Sequence, residues 1–304
     1  MVICYDNSRL FGGFGDRIVG LISIKTISRL LNRRFFISWT KENVKSYIDY
    51  TKYDFNILQD DVARYSYIDN QLGLKDYLMN CHDIFPNKTN IFYLNQEIAQ
   101  YIYKNSQFSD RNYHEDIIRE YKELYTDVLK PTDYITRVIK NLINGHNHIV
   151  GIQLRCGDKF MSTNLNELHD TNIYDRLDEI LMNIKEKCDS VNEGDRANEY
   201  SVFITSDCSE VYGKAVNIWG QNKIIYLDDP IQHLDRNPVN SDIKKVFVDS
   251  ILLSQYTEML FISKHSNFGR IAALSCNHSN IYGIEGSMQD KVVLYELLTK
   301  HDVV

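Results

Sequence analysis

The sequence predicts an α/β protein in which parallel strands alternate with helices, and two patterns carry this prediction. From residue 148 onwards, short apolar runs alternate with helical patterns of ten or more residues. Near the N-terminus, an apolar run, a glycine-rich turn, a helical pattern and a second apolar run follow one another. Parallel strands need helical crossovers of this kind, which cover both faces of the sheet. We therefore predict two Rossmann-like halves, of which the N-terminal half is the less regular.

The N-terminal half begins with a predicted βαβ unit. Its strands are residues 2–5 and 35–37, and apolar residues recur between them at spacings of three and four over 18–31, as in a helix. The following stretch, 45–130, is rich in tyrosine and less periodic. Within it, the pattern predicts a strand and a helix, at 91–94 and at 114–128.

A predicted helix over 132–143 ends at Asn144-Gly145, a pair that is typical of helix C-termini. We place a domain boundary there, which gives domains 1–145 and 146–304. The second domain contains five predicted strands, at 149–154, 202–205, 223–227, 259–263 and 281–284. Its predicted helices lie at 173–188, 209–219, 242–254, from 267 onwards and at 289–300.

Composition excludes several classes of protein. The chain of 304 residues has 34 Lys and Arg against 41 Asp and Glu, a net charge of −7, and no long basic run, which argues against a nucleic-acid partner. No run of 18 apolar residues predicts a membrane span, and the N-terminal residues lack the pattern of a secretory signal. The six cysteines form no CxxC pair. These features predict a cytoplasmic protein with reduced thiols.

Four loops that follow predicted strands carry polar residues, and ligands of open α/β sheets bind at such loops. The first includes Gly13, Gly15, Asp16 and Arg17. It departs from the dinucleotide fingerprint, because Ile18 stands at the third glycine position. Two interpretations stay open: a tight turn capped by Asp16, or a ligand loop in which Asp16 is a general base and Arg17 contacts an anion.

The second loop runs from Gln153 to Lys159 and contains Arg155 and Asp158. A guanidinium with an ammonium group nearby suits a diphosphate, because each charge-assisted hydrogen bond is worth roughly 1.5–3 kcal/mol. The alternative is a structural ion pair between Arg155 and Asp158.

The third loop contains Ser206 and Asp207, which predict either a nucleotide contact or a cap of the next helix. The fourth places polar residues and backbone N–H groups at a predicted helix start, an arrangement that favours phosphate. Its alternative is a plain N-cap. This fourth loop runs from Ser263 to Arg270, and its candidate donor contacts are Ser266, Asn267, Phe268, Gly269 and Arg270. No metal-binding or nucleophile motif is present in the sequence.

In order and content, these loops resemble the fucosyltransferase superfamily, which includes α1,6-fucosyltransferases, nodulation fucosyltransferases and protein O-fucosyltransferases. The matching segments are G-G-F-G-D-R, L-L-N-R-R-F-F-I-S-W, Q-L-R-C-G-D-K, F-I-T-S-D and D-S-I-L-L-S-Q…S-N-F-G-R. They span positions 12 to 274. The last is the most specific and the first the weakest.

The resemblance implies a GT-B glycosyltransferase, with two Rossmann-like domains facing a central cleft. Such an enzyme is inverting and metal-independent, needs no cofactor, and transfers a sugar, most often L-fucose from GDP-fucose, to a glycan hydroxyl. It implies that Arg155 holds the donor diphosphate and assists the leaving group, and that Ser266 and Asn267 contact the β-phosphate. Asp207 is then a nucleotide contact. Asp16 is the first candidate base and Asp158 the second.

The resemblance further implies that 1–145 is the acceptor side and 146–304 the nucleotide-sugar domain. Because the sequence shows no signal peptide or membrane anchor, we expect a cytoplasmic enzyme, of a bacterium or a virus. Two positions depart from the family pattern: Gln153 replaces the usual histidine, and Cys156 stands where a second arginine is common. Another donor, such as UDP-xylose or a different GDP-sugar, therefore stays open. So does a non-catalytic protein that binds a nucleotide or glycan. A Rossmann dehydrogenase rests on the glycine-rich turn alone.

Overall fold

The computed structural model describes residues 2–8, 12–40, 43–55, 62–66, 71–80, 89–157, 171–191, 199–230, 243–285 and 288–299. The chain divides into two compact units. Unit 1 comprises Met1–Thr132, His233–Ser241 and Leu298–Val304, and unit 2 comprises Asp133–Gln232 and Asp242–Leu297. The assignment of separate domain roles to 1–145 and 146–304 stays a prediction.

Unit 1 is built on a four-stranded parallel sheet in the order β2-β1-β5-β4. These strands are β1 (Val2–Asp6), β2 (Arg34–Ser38), β4 (Val62–Ser66) and β5 (Thr89–Tyr93). A separate antiparallel pair joins β3 (Ile48–Asp49) to β6 (Lys130–Pro131). The predicted βαβ unit is confirmed, because β1 and β2 pair in parallel and the helix that connects them in the chain is a crossover helix.

That crossover helix, α1 (Phe14–Leu30), is buried on nearly all sides. Its polar residues therefore find partners inside the unit: Lys25 forms ion pairs with Glu120 and, at 3.1 Å, with Glu123. The other helices of unit 1 are α2 (Gln71–Asn80), α3 (Ala99–Tyr103) and α4 (Tyr113–Lys122), and a wider π-helical turn, Leu124–Val128, follows α4. The tyrosine-rich middle thus contains more regular structure than its pattern predicts.

Glu97 is a buried carboxyl group beside α1, and its pKa gives unit 1 a testable pH dependence. Burial raises the pKa of Glu97 to about 8, although Ser23 and the amides of Ala99 and Gln100 donate hydrogen bonds to it. The folded state thus keeps a proton that the unfolded state releases near pH 4.5. This contribution to stability is fully present below pH 4.5 and is lost as the pH rises through about 8.

We therefore expect Glu97→Gln to flatten the fall in the free energy of unfolding between pH 5 and pH 8. For one proton, the free energy of unfolding can fall by at most about 1.4 kcal/mol for each pH unit. Urea titrations at the two pH values measure it, with exposed Glu115→Gln as the control. Parallel pH profiles for wild type and Glu97→Gln would contradict the assignment.

Unit 2 contains a six-stranded sheet in the order β12-β11-β10-β7-β8-β9. Five strands are parallel and β12 is antiparallel to β11. The strands are β7 (Ile149–Leu154), β8 (Ser201–Ser206), β9 (Ile224–Ile225), β10 (Met259–Ser263), β11 (Ile281–Glu285) and β12 (Met288–Lys291). The helices are α5 (Asp133–Leu142), α6 (Thr171–Asp175), α7 (Leu177–Val191), α8 (Glu210–Trp219), α9 (Lys244–Gln255), α10 (Asn267–Ser275) and α11 (Glu296–Thr299). The predicted alternation of strands and helices is confirmed.

Two details differ from the sequence prediction. The helix predicted at 289–300 is wrong over its first part, because residues Met288–Lys291 pair with β11 and this pairing overrides the local pattern. The helix predicted at 132–143 exists as α5 but belongs to unit 2, since it packs against α9. The contact boundary therefore lies between Thr132 and Asp133 rather than at Gly145.

Candidate active site

The strand order of unit 2 contains a topological switch point between β7 and β10. From β7 the chain builds β8 and β9 on one side of the sheet and then crosses to build β10 and β11 on the other. In open α/β sheets, a crevice forms beyond the carboxyl ends of the two strands at this point, and ligands bind there. The second and fourth polar loops of the sequence follow β7 and β10, so both lie at this edge.

The loop after β7 is fixed from both neighbouring strands. The backbone N–H of Arg155 donates to Ser263 Oγ at the end of β10, at 2.9 Å. On the other side, the N–H groups of Cys156 and Gly157 donate to the two carboxylate oxygens of Asp207, at 2.6 and 3.1 Å. Three successive amides are thus held in place, and they define where the Arg155 side chain begins.

Asp207 also contacts the Arg155 side chain, because Arg155 Nε lies 3.3 Å from Asp207 Oδ2. Burial raises the pKa of Asp207, while Arg155 and the two amides oppose that rise. The Arg155 side chain is 28% exposed and that of Asp207 only 6%. Asp207 is therefore an internal anchor for this loop, and the guanidinium that it orients remains accessible.

The capping role predicted as one alternative for Asp207 is not what the structure shows. Ser209 is the N-cap residue of α8, and its side chain makes no capping hydrogen bond. Ser206 Oγ accepts from the N–H of Cys208 at 3.1 Å, so it too serves the local turn. Contact of Ser206 or Asp207 with a nucleotide stays a prediction.

The start of α10 forms the other side of the switch point. Ser266 is the N-cap, and its hydroxyl accepts from the N–H of Gly269 at 3.4 Å. Buried Arg270 donates from Nη1 to Asn267 Oδ1 at 3.0 Å, while Asn267 and Phe268 are half-buried. The positive end of the helix dipole therefore faces the same edge as the Arg155 loop.

Gln153, in β7, packs directly against this first turn. A methyl group at position 269 would lie 2.3 Å from Gln153 Oε1, so glycine is required there while Gln153 keeps its position. Gln153 is 4% exposed, and its Oε1 has no hydrogen-bond partner among the described residues. Gln153 therefore couples β7 to the N-terminus of α10 through packing.

The glycine-rich loop of unit 1 adopts the capped turn that was one of its two interpretations. Asp16 Oδ2 accepts from the N–H of Gly13 at 2.9 Å, and this bond closes the start of α1. Arg17 is fully buried and its Nε donates to the carbonyl of Gly12 at 3.2 Å. Gly15 is the second residue of α1. The role of Asp16 as a base, and ligand contacts of Gly13, Gly15 and Arg17, stay predictions.

Two predicted site residues, Asp158 and Lys159, lie outside the described residues. Ser263 belongs to the fourth polar loop but has no predicted role, although a hydroxyl at the last position of a buried strand beside the switch point was the available signal. The hydrogen bonds that the amides of Cys156 and Gly157 donate to Asp207 are likewise not predicted, because they link residues 51 and 50 positions apart in the chain.

Solved structures of fucosyltransferases share this architecture across nearly the whole chain. A variant of FUT1 from Arabidopsis thaliana in complex with GDP gives a TM-score of 0.65 at 13% identity, covering 93% of this chain and 70% of that one. Fucosyltransferase NodZ from Bradyrhizobium gives 0.58 at 14% identity, covering 95% and 98%. The chain has the fold of the fucosyltransferases. POFUT1 in complex with GDP-fucose also matches, with a TM-score of 0.52 at 11% identity and coverage of 94% and 98%.

The fold that the loop motifs imply by their resemblance is therefore confirmed. No protein-family model matches the chain, and no curated protein matches it in sequence.

Within the described residues, no helix is long and apolar enough to cross a membrane, and no group of three or more His, Cys, Asp or Glu residues has the geometry of a metal site.

Proposed function

We propose that this protein is a glycosyltransferase that uses a GDP-sugar, with GDP-fucose as the first candidate donor. The fold is shared with NodZ, an α-1,6-fucosyltransferase whose structure was determined after soaking with GDP-fucose, and with POFUT1 in complex with GDP-fucose. The acceptor is a hydroxyl group of a glycan. The observation that carries the proposal is the accessible guanidinium of Arg155, which Asp207 orients at the switch point, on the same sheet edge as the N-terminus of α10.

These two features suit a nucleoside diphosphate. Preorganised donors stabilise the charge that develops on a leaving group without reorganising during the reaction. Arg155 supplies a full positive charge, and the first turn of α10 supplies a partial one. The proposed donor contacts of unit 2 are Gln153, Lys159, Ser206, Asp207, Ser266, Asn267, Phe268, Gly269 and Arg270, while donor contacts of Gly13, Gly15 and Arg17 in unit 1 stay predictions.

The proposed reaction is inverting and metal-independent. The acceptor oxygen bonds to the anomeric carbon from the side opposite the donor diphosphate, as the bond from that carbon to the diphosphate oxygen breaks. The hydroxyl proton passes to a carboxylate, for which Asp16 and then Asp158 are the candidates. The electron pair of the broken bond leaves on the diphosphate, where Arg155 stabilises it. The protein acts with no metal and no further cofactor.

Cys156 gives a specific reason to keep another donor as the second candidate. Burial raises the pKa of Cys156 to about 12, so its thiol is neutral at physiological pH. At position 156 the loop therefore has a neutral thiol, whereas a second arginine is common at this position in the family that the sequence resembles. Arg155 is the guanidinium that remains in the motif. A UDP-sugar such as UDP-xylose, another GDP-sugar, or nucleotide binding without turnover are the remaining alternatives.

The test is a screen of GDP-fucose, GDP-mannose, UDP-xylose and UDP-glucose for thermal shift and for release of the nucleoside diphosphate, with and without EDTA. We expect the largest thermal shift and measurable hydrolysis with GDP-fucose, unchanged by EDTA. Turnover of a UDP-sugar alone would replace the donor assignment, and binding without turnover would support the non-catalytic alternative. No response to any of the four would contradict the proposal.

A further inference from the structure

Helix α9 of unit 2 contains a buried ion pair, between Lys245 and Asp249, that the proposed reaction does not use. Lys245 and Asp249 are one helical turn apart, and Lys245 Nζ lies 3.2 Å from Asp249 Oδ2. Their side chains are 5% and 4% exposed. Both members also hold strands: Thr205 in β8 donates from Oγ1 to Asp249 Oδ2 at 2.6 Å, and Lys245 Nζ donates to the carbonyl of Leu227, after β9, at 2.8 Å.

Stability does not explain this pair. Removing two charges from water costs about as much as their attraction returns, so a buried ion pair is on average no better than well-packed apolar residues. Asp249 Oδ1 has no hydrogen-bond partner among the described residues, which adds to the cost. Burial raises the pKa of Asp249, in keeping with that cost. The pair is therefore better explained by the geometry that it imposes.

That geometry leads directly to the Arg155 loop. Thr205 is two residues before Asp207, whose carboxylate holds the amides of Cys156 and Gly157 and contacts the guanidinium. Between them, Ser206 is held by Tyr212, whose hydroxyl accepts from the Ser206 N–H at 3.3 Å and donates to the Ser206 carbonyl at 3.4 Å. A shift at Thr205 therefore moves Asp207, and with it the start of the Arg155 side chain.

We propose that Asp249 is a positioning residue for the donor site, which acts through Thr205 on Asp207 and so on the Arg155 loop. Lys245 pairs with the Asp249 carboxylate and, through its bond to the Leu227 carbonyl, ties the residues after β9 to the same point. The effect on donor binding rests on the proposed function, whereas the effect on the loop does not depend on it.

Thr205→Val is the sharpest test, because it removes the hydroxyl bond to Asp249 while keeping the ion pair and the size of the side chain. Direct substitution of Asp249 would leave Lys245 buried without a counter-charge and is avoided. Thr205→Ser retains the hydroxyl and serves as the conservative rescue. Ser254→Ala is the matched control, since Ser254 is a buried residue of the same helix whose hydroxyl donates to the Ser250 carbonyl within α9.

Two measurements are made on the full chain: hydrogen exchange of the Cys156 and Gly157 amides, and GDP affinity by calorimetry. In Thr205→Val we expect exchange of both amides to accelerate about tenfold and GDP affinity to fall about fivefold, the size expected for the net loss of one intramolecular hydrogen bond. Thr205→Ser and Ser254→Ala should remain within about twofold of wild type.

Equal amide exchange in Thr205→Val and Ser254→Ala would overturn the positioning role, whatever the GDP result. Faster exchange with unchanged GDP affinity would overturn its link to donor binding. If the wild type binds no GDP, the proposed function fails, but the amide exchange still decides whether Asp249 positions the loop.

Discussion

Replacing Arg155 with alanine is expected to lower donor turnover about 100-fold or more, the usual effect of removing one preorganised donor from a developing negative charge. The loss should fall mainly on kcat, because charge on the diphosphate grows as the bond to the sugar breaks. The fold should survive: Asp207 retains its hydrogen bonds from the amides of Cys156 and Gly157. The melting temperature should therefore change by only a few degrees.

Two variants make this result specific to the position of Arg155. Arg155→Lys keeps a positive charge but loses the planar fork, so it should recover only part of the turnover. Arg137→Ala removes an exposed arginine from α5, whose Nε donates only to the Asp133 carbonyl within that helix, and should leave turnover unchanged. Near-normal turnover of Arg155→Ala in an assay where the wild type is active would remove Arg155 from the mechanism.

The sequence predicts the sheet of unit 2 well because its strands are buried on both faces. Two strands, Ile149–Leu154 and Met259–Ser263, have the predicted bounds. An uninterrupted apolar run bounded by polar loops is the local consequence of such burial, so it is readable from local sequence. The polar residues that follow these strands can be recognised from local sequence for the same reason, and Arg155 and Ser266 are two of them.

What the sequence does not predict is decided by residues far apart in the chain. Met288–Lys291 forms a strand only because β11 offers an open edge. Asp207 matches the pattern of a helix cap, but its amide partners lie 50 and 51 residues earlier in the chain, in the loop after β7. The same holds for Asp249, which the local pattern shows only as a residue of an apolar helix. Its contact with Thr205, in β8, becomes visible only in the structure. In each case the partner, rather than the local pattern, determines the role.

Gly20 shows the same dependence on a distant partner, and Gly20→Ala should be the most destabilising single substitution proposed for unit 1. Gly20 lies within α1, where alanine is favoured over glycine by about 1 kcal/mol on helix propensity alone. A methyl group there would, however, lie 2.0 Å from the carbonyl oxygen of Leu94 and 2.5 Å from its carbon. Leu94 directly follows β5, which is hydrogen-bonded between β1 and β4.

Because the obstacle is backbone tied into a sheet, relief requires α1 or the end of β5 to move. We expect the free energy of unfolding to fall by about 3 kcal/mol or more, measured by urea titration. Gly213→Ala is the matched control: Gly213 lies on the exposed face of α8, and nothing lies within 4 Å of the added methyl group. It should stabilise by about 0.5–1 kcal/mol. If the free energy of unfolding falls in Gly20→Ala and rises in Gly213→Ala, the close approach of Leu94 to α1, rather than helix propensity, determines the residue at position 20. A neutral Gly20→Ala would contradict the close contact.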